Sequence, residues 1–63
     1  MVCVTLVVDG QEIGIREIAR DLARQEAHGL IRNGWRQLVN AKGYRSFWLP
    51  DSDECRIMRF QAA

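Results

Sequence analysis

Val2, Val4, Leu6 and Val8 alternate with Cys3, Thr5 and Val7 at the start of the chain. A β-branched run with a period of two predicts a strand, and Asp9-Gly10 directly after it predicts a tight hairpin turn. Gln11 to Ile15 is the expected return strand, short and weakened by Gly14. From Ile15 the period lengthens. Ile15, Ile18, Ala19, Leu22, Ala23, Ala27, Leu30 and Ile31 fall at helical spacing, while Glu17, Arg20, Asp21 and Arg24 take the other side. One amphipathic helix is expected, closing at Asn33-Gly34, where glycine supplies the left-handed conformation.

Beyond it, Trp35 to Val39 and Tyr44 to Leu49 read as two strands, joined by Asn40-Ala41-Lys42-Gly43 as a type I turn followed by a bulge glycine. Residues 50–54 form a polar turn, and Cys55 to Phe60 alternates again as a last strand. The expected architecture is α+β: one small domain over residues 1–63, an antiparallel sheet with a single covering helix in ββαβββ order.

A competing parse extends helix over residues 27–42, because Ile31, Trp35, Leu38 and Lys42 also keep helical spacing. The stretch Leu38-Val39-Asn40-Ala41-Lys42-Gly43-Tyr44 then resembles the end of a recognition helix in winged-helix regulators. That resemblance, covering about half the chain, implies a winged helix-turn-helix in which residues 44–60 form the wing and the second helix reads DNA. It requires Gly29 and Gly34 inside the reading helix, each costing about 1 kcal/mol relative to Ala.

Length and composition narrow the classes. Sixty-three residues and 7.3 kDa leave room for one domain. Hydrophobic residues at 48% and charged residues at 27% fit a globular chain and exclude disorder or collagen-like repeats. No apolar run approaches membrane-spanning length, and the opening segment is too short and uncharged for a secretory signal, so no membrane partner and a cytoplasmic address are expected. Cys3 and Cys55 are too few for a disulfide framework; they become neighbours only if the first and last strands bring them together.

The net charge of +1 points to no general polyanion partner. Its distribution is uneven. Residues 1–28 carry three Arg against five acids, whereas residues 29–49 carry Arg32, Arg36, Lys42 and Arg45 and no acid. The same stretch holds Trp35, Tyr44, Phe47 and Trp48. Cations interleaved with flat rings suit phosphate contact and base stacking, and equally the Trp-, Tyr- and Arg-rich hot spots of protein interfaces.

Chemistry is poorly supplied. His28 is the only histidine and is expected on an exposed or boundary side of the helix. Cys3, His28 and Cys55 lack the paired spacing of a zinc site, and Asp51, Asp53 and Glu54 are not followed by the ligand series of a calcium loop. No phosphate-cradle, nucleophile-elbow or zinc-protease string occurs. The reading is of a non-enzyme without cofactor or metal.

A single helix covers one face of a sheet, and the other face of an antiparallel sheet is then normally polar. Here Tyr44, Ser46 and Trp48 alternate with Arg45, Phe47 and Leu49, so rings point to both sides whichever face is covered. This predicts a small binding module, a regulator or inhibitor, that docks a basic aromatic C-terminal sheet through Arg32, Trp35, Arg36, Lys42, Tyr44, Arg45 and Trp48. The expected partner is a larger protein or a nucleoprotein complex, with nucleic acid itself as the alternative and a homodimer as a further way to cover the surplus face. In size and composition the chain is analogous to the small standalone proteins of phages and mobile elements that occupy a surface on a host machine.

Overall fold

Six elements follow the ββαβββ order in a computed structural model that describes residues Met1–Ala63: β1 (Val2–Val8), β2 (Gln11–Ile18), α1 (Arg20–Arg32), β3 (Arg36–Ala41), β4 (Tyr44–Trp48) and β5 (Arg56–Ala62). The five strands form one antiparallel sheet in the order β2-β1-β5-β4-β3. The fold is thus the small α+β domain that the alternation predicts. The last strand is the central one, inserted between β1 and β4, so the two hairpins cannot join into a sheet until the C-terminal segment pairs with both.

The β1–β2 turn forms as Asp9-Gly10 predicts: both residues have positive φ, +50° and +82°, as a two-residue type I′ hairpin needs. Asp9 also ties this turn to the start of β5. Its N–H donates to the Cys55 carbonyl and its Oδ1 accepts from the Cys55 N–H, both at 2.9 Å.

Several boundaries differ from the sequence expectation, among them β4, which ends at Trp48 and not Leu49, and β5, which spans Arg56–Ala62 and not Cys55 to Phe60. β2 runs to Ile18, because Ile15 and Ile18 pair with Thr5 and Val2 along β1, and the helix starts only at Arg20. Ladder hydrogen bonds override the helical spacing of these isoleucines. The β3–β4 turn is the two residues Lys42-Gly43, with Asn40 and Ala41 paired in the ladder to Arg45 and Tyr44. A bulge lies between Gln37 and Val39 and places those two residues, expected on one face, on opposite faces.

No second helix exists over residues 27–42. Helix α1 ends in a Schellman motif: the Trp35 N–H donates to the Leu30 carbonyl at 2.9 Å and the Gly34 N–H to that of Ile31 at 3.2 Å, with Gly34 at φ +91°. Trp35 packs half-buried against the core beside Leu30, and the chain leaves as β3. The winged-helix parse fails at this glycine.

The core lies between α1 and one face of the sheet. It consists of Val2, Val4, Ala23, Ala27, Phe47 and Phe60, with Ile18, Leu30, Trp35 and Met58 packed against it. Phe47 is fully buried and meets Phe60 edge to face, with ring centroids 5.7 Å apart. The helix stands on the sheet through alanines, so two residues of its expected apolar stripe are left outside: Leu22 is 52% and Ile31 48% exposed. Arg16 of β2 clamps the opposite flank of the helix, donating from both terminal nitrogens to the two Glu26 carboxylate oxygens at 2.9 Å. No helix is long and apolar enough to cross a membrane.

Candidate binding surfaces

Strand register assigns every sheet residue to a face. On the helix side lie Val4, Phe60 and Arg45 in one cross-strand row and Leu6, Met58, Phe47 and Gln37 in the next. On the open side, one row runs Glu12, Val7, Ile57, Trp48 and Arg36 across all five strands. The adjoining row runs Ile15, Thr5, Arg59, Ser46 and Val39, and a third joins Glu17, Cys3, Gln61, Tyr44 and Ala41.

No element covers this open side. Trp48 remains 39% and Ile15 63% exposed, and Val39 is exposed as well. Thr5 and Ser46, short side chains at the centre, are buried among their longer neighbours. Arg59 reaches across β1 to donate to Glu12 at 3.0 Å. The face therefore balances Arg36 and Arg59 against Glu12 and Glu17, with Thr5, Arg59 and Ser46 at its centre and the apolar and aromatic Val7, Ile57 and Trp48 along one end.

The seven sequence-predicted residues do not form one patch. Arg36, Tyr44 and Trp48 share the open face, with Arg36 directly opposite Trp48 across the β3–β4 ladder. Arg45 points to the helix side, and Lys42 sits in the β3–β4 turn. Arg32 lies exposed in the last helical turn, where a cation complements the helix dipole, and Trp35 closes the end of the core. Ile15, Val39, Ile57 and Arg59 complete the open face. Their alternation is visible in the sequence, but which set turns outward is decided only by how α1 docks.

A second surface arises on the helix side. Small residues, Ala23 and Ala27 on α1 with Gly43 and Ala62 opposite, leave a cleft of about 410 Å³ between the helix and the β3–β4 hairpin. Arg20, Arg24, Lys42 and Arg45 line it, and no acid does. The protein's three ion pairs are Arg16–Glu26, Arg56–Glu54 and Arg59–Glu12, so none of these four cations has a carboxylate partner. Arg45 is held without neutralisation. Its guanidinium carbon lies 5.2 Å from the Phe47 ring centroid, and with the Gln37 amide turned oxygen-first its Nε and Nη2 donate to that oxygen at 3.1 and 3.3 Å.

Titratable chemistry elsewhere is sparse. His28 is exposed on the helix. Cys3 and Cys55 are free, and the pairing of β1 with β5 separates them: Cys3 faces Gln61 near one end and Cys55 follows the Val8–Arg56 pair at the other, roughly 20 Å away at about 3.4 Å per residue. The loop at residues 51–54 is a solvated turn in which Glu54 pairs with Arg56 at 2.9 Å. No family model, curated protein or solved structure matches the chain.

Proposed function

We propose that the protein is a non-enzymatic binding module, a regulator or inhibitor, that docks the open face of its sheet on a larger protein, alone or within a nucleoprotein complex. The observation that carries this reading is Trp48, partly exposed between Arg36 and Ile57 at one end of a face that no element of the chain covers. Balanced charge favours a protein partner, because a phosphate lattice is met by an excess of cations.

Four strand spacings of about 4.8 Å and strands of roughly 20 Å give a face of about 400 Å². A standard protein interface takes about 800 Å² from each partner. The contact is therefore modest in area, or it continues over the hairpin ends, and its strength rests on few anchors. A Trp hot spot of about 2 kcal/mol or more corresponds to a loss of about thirtyfold in affinity on truncation.

The test compares proteins retained from the native host by the wild type, by Trp48→Ala with Arg36→Ala, and by Arg24→Gln with Lys42→Gln. Retention of the same protein by the first and third, and its loss with the second while circular dichroism shows native folding, is the expected result. Retention unaffected by the Trp48 and Arg36 changes would refute the reading. Retention of nucleic acid with affinity falling steeply in salt would replace it with the polyanion alternative.

A further inference from the structure

We propose that the cleft between α1 and the β3–β4 hairpin is a second recognition site, built for an acidic protein segment that carries an apolar side chain between its carboxylates. The proposal concerns the helix side of the sheet and stands whether or not the open face docks on anything.

Its charge is the first argument. Arg20 and Arg24 lie four residues apart on α1, about 6 Å along the helix axis at 1.5 Å per residue. Lys42 and Arg45 come from the hairpin. Four like charges converge on one cleft with no lining acid, an arrangement that opposes itself unless an anion occupies the space. Elsewhere the chain provides partners: Arg16, Arg56 and Arg59 each meet a carboxylate. Of the six cations without a carboxylate, four converge on this cleft, while Arg32 and Arg36 stand apart from it.

The inner surface is the second argument. Val2, Ala23, Ala27 and Phe60, core residues that keep only their outer edges accessible, form an apolar floor inside the cationic rim. A volume of about 410 Å³ lies in the range of true ligand sites and admits a side chain with part of its backbone. A nucleic acid would bring phosphates but no apolar group for this surface; of the two rings that line it, Phe60 is committed edge to face against Phe47, and Tyr44 belongs to the Cys3–Gln61 row that faces the open side, so neither presents a ring face to bases inside the cleft. Carboxylates held on either side of a leucine or phenylalanine match both features at once. Arginine suits the carboxylates through its planar fork, and the contacts holding Arg45 reduce the ordering that binding requires.

The experiment is a titration of the ¹⁵N-labelled protein with a blocked hexapeptide bearing a Leu-Phe pair between two acidic residues on each side. Its controls are the same peptide with Gln for each acid and a hexathymidylate oligonucleotide. The expected result is amide shifts centred on Ala23, Ala27 and Gly43. Affinity should fall about tenfold or more for the Gln peptide, and by a similar factor in Arg24→Gln with Arg45→Gln. Arg45 packs on Phe47, so Arg20→Gln with Arg24→Gln, both exposed on the helix, takes its place if the first variant unfolds. Trp48→Ala should leave the binding unchanged. No shifts at peptide concentrations of about 2 mM, a binding weaker than about −4 kcal/mol on the same scale, would overturn the proposal. So would shifts centred on the open face, equal binding of the Gln peptide, unchanged binding by the cation variants, or tighter binding of the oligonucleotide.

Discussion

Phe47 and Trp48 are neighbours in one strand with opposite fates, and their difference is the sharpest consequence of the docked helix. Phe47 is fully buried, meets Phe60 edge to face and lies beneath Arg45. Truncating such a side chain to Ala costs about 3–5 kcal/mol, combining lost transfer energy with the cavity left behind. A 63-residue domain at roughly 0.05–0.15 kcal/mol per residue holds only about 3–9 kcal/mol in total. Phe47→Ala should therefore leave much of the population unfolded at room temperature. Phe47→Leu, losing about 1–2 kcal/mol, should stay folded with a midpoint lower by roughly 5–15 °C. Trp48→Ala makes no enclosed cavity and should cost less than half as much as Phe47→Ala. Thermal and urea unfolding followed by circular dichroism measures all three. A Phe47→Ala protein as stable as Trp48→Ala would show that α1 does not cover the face assigned to it.

Gly29 and Gly34 should respond to alanine with opposite signs. A Cβ at Gly29 meets nothing within 4 Å in a helical backbone, so Gly29→Ala should stabilise by about 0.5–1 kcal/mol. Gly34 has φ +91° in the Schellman cap, and Gly34→Ala should destabilise by about 1–2 kcal/mol, both read as midpoint shifts on urea unfolding. Glu26 adds a small acid-sensitive component: the hydrogen bonds from Arg16 hold its carboxyl below the ordinary 4.5, outweighing the opposite effect of burial. That stabilisation is complete above the ordinary value and disappears as pH falls through the folded one; the pair is exposed, so it is worth about 1 kcal/mol or less. Glu26→Gln should lower stability by that amount at pH 7 and by progressively less as the pH falls below 4.5.

Much of the fold was legible because its signals are local. The alternation of Val2 to Val8, the Asp9-Gly10 turn and the Gly34 stop each act within a few residues, and each stands in the structure as written. The start of the helix was not legible. Ala19 supplies no side-chain cap, so nothing in the sequence marks where strand becomes helix, and Ile15 and Ile18 keep both periods. The bulge at Leu38 likewise has no composition signal, yet it turns Val39 to the face opposite Gln37.

The candidate site was half legible for a related reason. A run of cations along the chain is not a patch in space. Strand alternation sends Arg36 and Arg45 to opposite faces, while Arg20 and Arg24, on the polar side of the helix in sequence, meet Lys42 and Arg45 only when α1 lies across the sheet on its alanines. The number of rings exceeding what one helix hides could be counted beforehand. Which ring stayed outside depended on the register.

In the free protein, solvent paramagnetic relaxation with a neutral gadolinium chelate reads whether the aromatic surface opposite the helix is uncovered. Side-chain signals of Trp48, Ile15 and Val39 should broaden strongly, while those of Phe47, Phe60 and Ala27 stay sharp. Protection of Trp48, Ile15 and Val39 equal to that of Phe47 would contradict the account, since that face would then already be occupied.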